Sequence, residues 1–356
     1  MMKNALRFKL LLYRFLTTEF GNLILKSLSN FVTVKDLGNK TKLNKCKFLV
    51  VITVDTESGF VDKNERRTWQ KENPEAFVGY YYGIRNLLEM LEKHEIKATF
   101  FLSTQCFSSK SFEYKKIMEG LNNLLNNKHE IGLHLHPDSD FSIQKRLRKK
   151  FNATSAFFYS YDEKVEIISA AKDLVKRHLG EKAAKNITSF RWGNWALDTG
   201  GARALNKLGF TIDSSATPGI KGHMSDGMKY DWSGIKHHYP WKLSTRDYRA
   251  IHHANSNVTE IPIATFDLFG IKLRADPVNS LLLQKAFSGY YKMADRSQIP
   301  FPFVVITHSS EATTKDGRPT RALKDLDDFI SNAIKFDDVE FVTLNEAYRR
   351  LNFKKQ

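Results

Sequence analysis

The stretch VVITVDTESGF, residues 50–60, decides how the rest of the chain is read. Its first half is apolar and β-branched, the composition of a strand buried on both faces, and such strands belong to parallel sheets covered by helices. Two carboxylates, Asp55 and Glu57, then arrive at its C-terminal end. Side chains alternate along a strand, so positions two apart share a face where the extended backbone persists. Two like charges on one face repel and call for a cation or a proton between them. The alternative is a loop start carrying two solvated acids.

Outward from this stretch, apolar runs and helical patterns alternate. YYYGIRNLLEMLEKH places Ile84, Leu87, Leu88 and Leu91 at helical spacing, IKATFFLS reads as a strand, FEYKKIMEGLNNLLNN as a helix and HEIGLHLH as a strand. A basic insertion, IQKRLRKKF, follows; the next helix opens on Ser160 with Glu163 three residues on, a capping box, and closes at Gly180. ITSFRW, FTIDSS, VTEIPIATF, FPFVVITH and VEFVTL read as later strands, with a helix from Asn345 at the end. Strands alternating with helices over some 300 residues predict an α/β fold with a parallel sheet, closed as a barrel rather than left open.

At 356 residues and 42% hydrophobic content the chain can bury a large core, and an α/β barrel of ~250 residues folds as one unit. Cys46 and Cys106 provide neither a disulfide framework nor zinc-site spacing. The net charge is +16, and ten basic against two acidic residues before the first strand supply +8 of it. Residues 1–46 therefore read as a basic, partly amphipathic helical arm, packed on the body or lying on an anionic membrane face. The arm lacks the ~18 uncharged apolar residues of a membrane span and, with Arg14 inside its apolar part, the form of a signal peptide. The basic residues do not interleave with aromatics as in nucleic-acid modules, so no nucleic-acid partner is expected.

In an α/β barrel the active site lies at the C-terminal ends of the strands. There stand Asp55 and Glu57, His134 and His136, Arg191, Asp213 and His308. His134 and His136 alternate with Leu133 and Leu135, so both imidazoles face one way; with a carboxylate they make a three-ligand site with an open position. His129 lies at the opposite end of its strand and reads as structural, and the pairs His237/His238 and His252/His253 are not expected to be ligands. Trp232 and Trp241, in a loop-like region rich in aromatics, are candidates for contact with a substrate through their ring faces.

TVDTE, IKATFFL, HEIGLHLHP, FRWGNW, LGFTIDSS and VVITHS, in that order, resemble the polysaccharide deacetylases of carbohydrate esterase family four, in a divergent branch with an acid-x-acid first motif. The resemblance spans roughly residues 48–351. It implies a distorted (β/α) barrel of about seven parallel strands over residues 47–352, a divalent metal, taken as zinc, and removal of an acetyl group from an N-acetylated or O-acetylated sugar. By the same resemblance Asp55 is the catalytic base, Arg191 holds it, His134 is a metal ligand, His308 is the general acid and Asp213 orients His308. Glu57 and His136 complete the metal set, with Asp138 in reserve, because the family's histidines stand four apart and these stand two apart. Arg191 is expected to pair bidentately with Asp55. A backbone N–H of Asn194 or Trp195 is expected to meet the oxyanion, and Trp195 joins the substrate candidates. Location in the cytoplasm, with peripheral contact at the inner membrane face, is expected. The alternatives are an amidohydrolase on a non-sugar amide and an inactive carbohydrate-binding protein on the same fold.

Overall fold

The structure, a computed structural model, describes residues 48–351 apart from 60–73, 109–110, 154, 225–226, 269, 278–279, 295–296 and 298. The basic arm, and Cys46 with it, lies outside the described residues.

The opening stretch forms β1 (Phe48–Thr56), buried along its whole length. It is followed by β2 (Thr99–Ser103), β3 (Glu130–Leu135), β4 (Ser189–Trp192) and β5 (Ile212–Asp213). Then come β6 (Lys221–Met224), β7 (Gly227–Asp231), β8 (Trp241–Lys242) and β9 (Thr259–Glu260). The last are β10 (Thr265–Leu268), β11 (Ile271–Arg274), β12 (Phe301–His308) and β13 (Val339–Phe341).

The main sheet runs β12-β1-β2-β3-β4-β5-β9-β8, parallel throughout except for β8 on β9. Beyond β9 a parallel bridge joins Ile263 to Val304 of β12, and Ala264 N–H donates to Val304 O at 3.0 Å. The row β12, β1, β2, β3, β4, β5 and β9 thus curls until its ends meet. This is the distorted (β/α) barrel of about seven parallel strands.

Two strand expectations change. VTEIPIATF is not one strand: β9 belongs to the barrel and β10 to an antiparallel hairpin with β11, and Pro262 between them has no N–H to continue a ladder. VEFVTL forms β13, which among the described residues pairs with Phe48–Val50 at the start of β1, below the point where β2 takes over the same edge at Thr53.

Alternation sorts the core into two layers. Leu49 and Val51 join Phe101, Ile212, Ile261, Ile263, Val304 and Ile306 inside the curl. Phe48, Val50, Ile52 and Val54 face outward into the larger core beneath the helices. These helices include α1 (Ile84–Lys93), α2 (Ser111–Asn126), α3 (Phe141–Leu147) and α4 (Tyr161–Leu179). Ser160 and Glu163 form the capping box of α4, and Gly180 ends it at φ 91°. Among the described residues no helix is long and apolar enough to cross a membrane.

Candidate metal centre

Since Leu49 and Val51 face the interior, so do Thr53 and Asp55, and the chain stays extended enough to bring Glu57 to the same side. Glu57 Oε2 lies 2.7 Å from His136 Nε2 and 3.1 Å from His134 Nε2. On β3, Leu133 and Leu135 enter the outer core, which turns His134 and His136 inward with ring centroids 4.9 Å apart. One donor atom from each of Glu57, His134 and His136 lies within 4.8 Å of the others. Bonds from such donors to a divalent ion are about 2.0–2.2 Å, so atoms this close can share one ion. His134 Nδ1 is 3.0 Å from Arg191 O; donating there, it leaves Nε2 as the lone-pair nitrogen facing the cluster, the usual outer partner of a metal-bound histidine. The donor set therefore fits a divalent metal. Asp138 is outside this group, as are the pairs His237/His238 and His252/His253.

Burial alone would raise the Glu57 pKa, but the two imidazoles, His136 foremost, hold it well below the usual range. Burial works against a charged His136, and Glu57 overcomes it and raises that pKa. The cluster is thus a negative group clasped by two nitrogen donors. Close approach of backbones shapes it: a Cβ on Gly193 would stand 2.4 Å from Leu135 O and 2.6 Å from His136 Cε1, so only glycine leaves room for the His136 ring.

Asp55 is beside the cluster rather than in it, its Oδ2 3.9 Å from His134 Nε2. Arg191, on β4, donates Nη1 to Asp55 Oδ1 at 2.7 Å and to Thr53 Oγ1 at 3.0 Å. Its Nε and Nη2 go to Ser214 O and Oγ, and its guanidinium lies 4.3 Å over Phe101. The pairing with Asp55 is a single contact, not the bidentate one expected, because Ser214 takes the other edge of the fork.

His308 ends β12 and is the register partner of Asp55. Its Nε2 stands 3.8 Å from Glu57 Oε1 and its Nδ1 3.2 Å from Glu311 Oε2. Glu311 also accepts from His308 N and Thr307 Oγ1. Burial would discharge the imidazole, but the Glu311 carboxylate outweighs it and the His308 pKa is pushed up to about 10.

Asp213 does not orient His308. It is fully buried, accepts from Ser215 N and Oγ, and is the register partner of Glu260. Burial raises the pKa of both carboxyls, that of Glu260 furthest, where the neighbouring Asp213 adds to the effect. The sequence reading missed Glu311, although THSSE places an acid three residues after His308. It also missed Gln105, whose side chain joins Ser58 Oγ (3.0 Å) to Ser139 Oγ (2.6 Å) and so ties the segment after Glu57 to the one after His136.

The tryptophan candidates separate. Trp232 is fully buried, with Nε1 donating to Trp195 O at 2.9 Å, and Trp241 is buried too; neither can stack on a sugar from these positions. Trp195 is half-buried on the turn after β4.

No family model matches the sequence, and no curated protein does. Solved structures match the fold. A protein described as a polysaccharide deacetylase from Mycobacterium smegmatis has a TM-score of 0.55 at 15% identity, over 88% of this chain and 92% of that one. A protein described as a glycoside hydrolase/deacetylase from Parabacteroides distasonis has 0.58 at 11%, over 86% and 72%. The PuuE allantoinase has 0.54 at 13%, over 86% and 91%. The chain thus has a polysaccharide deacetylase-like fold.

Proposed function

We propose that the protein is a metal-dependent hydrolase that removes an acetyl group from an N-acetylated sugar. The observation that carries this reading is the Glu57–His134–His136 group with Asp55–Arg191 on one side and His308–Glu311 on the other. Glu57, His134 and His136 would hold the metal, which when bound supplies a Lewis acid that polarises the acetyl carbonyl and acidifies water.

The chain's own residues do the rest. Asp55, paired with Arg191 at 2.7 Å, accepts the proton of the attacking water as the water oxygen bonds to the acetyl carbon. His308, charged at neutral pH and held by Glu311, gives a proton to the departing nitrogen as the C–N bond breaks, leaving acetate and an amine. Trp195 N–H, on the turn beside His136, is the proposed backbone donor to the oxyanion.

A non-sugar amide is the second reading, because an allantoinase shares the fold. The test measures acetate released from N-acetylated monosaccharides and oligosaccharides, and ring opening of allantoin, with and without chelator. Chelator-sensitive acetate release supports the first reading; allantoin turnover alone replaces it with the second. Turnover that survives full metal removal sinks both.

A further inference from the structure

The turn after β4 holds a feature the hydrolytic scheme does not use. Asn194 and Trp195 are consecutive non-glycine residues at φ 56° and 57°, a backbone state that is unfavourable for each and persists only where its surroundings impose it. Here Gly193 is pressed against His136 at one end, and Trp232 Nε1 holds Trp195 O at the other. The turn carries the Trp195 indole, and the guanidinium of Arg274 stands over that ring, Cζ 3.8 Å from its centroid.

Arg274 closes the β10–β11 hairpin. The residue after it, Ala275, donates to Ala264 O at 2.8 Å and accepts from Ile306 N at 2.9 Å, two residues before His308. The stack is therefore bracketed by the turn that touches His136 and the strand that ends in His308. Arg274 is half-buried, and no carboxylate of the described residues forms an ion pair with it. Arg191, whose guanidinium lies over the buried Phe101 ring, has its edge engaged by Asp55, Thr53 and Ser214. Stacking uses the face of a guanidinium and leaves the in-plane N–H donors, whose fork matches a phosphate or carboxylate.

We infer that Arg274, held against the face of Trp195, receives an anionic group, phosphate or carboxylate, carried by the sugar substrate. The inference rests on the deacetylase reading for the sugar and on the geometry of the stack for the anion.

The test is calorimetric titration of the metal-loaded protein with three ligands: methyl N-acetylglucosaminide, N-acetylglucosamine 1-phosphate and N-acetylglucosaminuronic acid. A charge-assisted contact predicts that at least one anionic sugar binds about tenfold or more tightly than the neutral one. Arg274→Gln should bring that ratio to about one, and Arg274→Lys should restore part of it. The phosphate and carboxylate arms tell the two anions apart. Equal binding of all three sugars by the wild type, or a preference that survives Arg274→Gln in a variant with wild-type melting, overturns the inference. Because the readout is binding, Arg274-dependent anion preference without acetate release would sink the hydrolytic reading alone. Acetate release with no anion preference would sink this inference alone.

Discussion

Asp55 and Arg191 form a buried ion pair, Oδ1 to Nη1 at 2.7 Å with side chains 2% and 0% exposed. The pair neutralises one of the two acids that end β1 without using an imidazole, which leaves Glu57 to face His134 and His136. Removing one member of a buried pair strands the other charge and costs about 3–5 kcal/mol. Arg191→Met should therefore lower unfolding stability by about that much in urea titrations. A loss of under about 1 kcal/mol, the range of an exposed pair, would show that Asp55 is otherwise compensated.

The division of labour between the acids is open to direct measurement. Asp55→Asn should keep one metal ion per chain while acetate release falls by about 10² to 10⁴. Glu57→Gln, His134→Ala and His136→Ala should lose stoichiometric metal, and Asp138→Ala should retain it. Metal content by mass spectrometry, read beside the rate, checks each. Loss of metal from Asp55→Asn with full retention in Glu57→Gln would exchange their roles.

Glu311 raises the His308 pKa to about 10, so the general acid stays charged across neutral pH. On the alkaline side, kcat/KM should fall as His308 loses its proton. Glu311→Gln removes the carboxylate that favours imidazolium and should move this alkaline limb to lower pH. Asp213→Asn should leave the limb in place, since Asp213 faces Glu260. A limb that moves with Asp213 and not with Glu311 contradicts the assignment.

His129, which the sequence places at the far end of β3, is a point of acid sensitivity. Burial, aided by Lys97, lowers its pKa to about 4, and its Nδ1 accepts from Ala98 N at 3.2 Å. As pH falls below the unfolded-state value of about 6.5, the unfolded chain takes a proton that the folded chain refuses. Stability should fall between pH 6.5 and pH 4, by up to about 3 kcal/mol from this residue. His129→Gln should flatten the stability–pH curve over that window; an unchanged slope would show that His129 is not its source.

Gly193 is a steric requirement of the centre. In Gly193→Ala the new methyl meets Leu135 O and the His136 ring, and the yielding partner is the ring. Metal affinity should drop by about tenfold or more, as when ligand orientation is lost, with the far-ultraviolet circular dichroism unchanged. Wild-type affinity in a folded Gly193→Ala would show that His136 has room to move.

Much of the fold and part of the site are local properties of the chain. Runs such as FLVVITVD and FPFVVITH carry their own strand signal, and period-two alternation alone turns His134 and His136 to the face opposite Leu133 and Leu135. The same rule put Asp55 and Glu57 on one side. What failed was non-local. The Asp213 carboxyl meets Glu260 because β5 and β9 are neighbours in the sheet, Trp232 and Trp241 are covered by segments distant in sequence, and Gln105 reaches Ser58 and Ser139 across two loops.

The sequence by itself determined where most strands of the barrel lie, which side chains share a face, and that acids and imidazoles collect at strand ends, because these follow from backbone periodicity within a few residues. Only the tertiary structure decided which of those groups meet. Asp55 is given to Arg191, Glu57 to the two histidines, His308 to Glu311 and Arg274 to Trp195. Those pairings are set by the order in which the strands curl into a barrel and by the backbone closeness that glycines such as Gly193 permit, and spacing along the chain encodes neither.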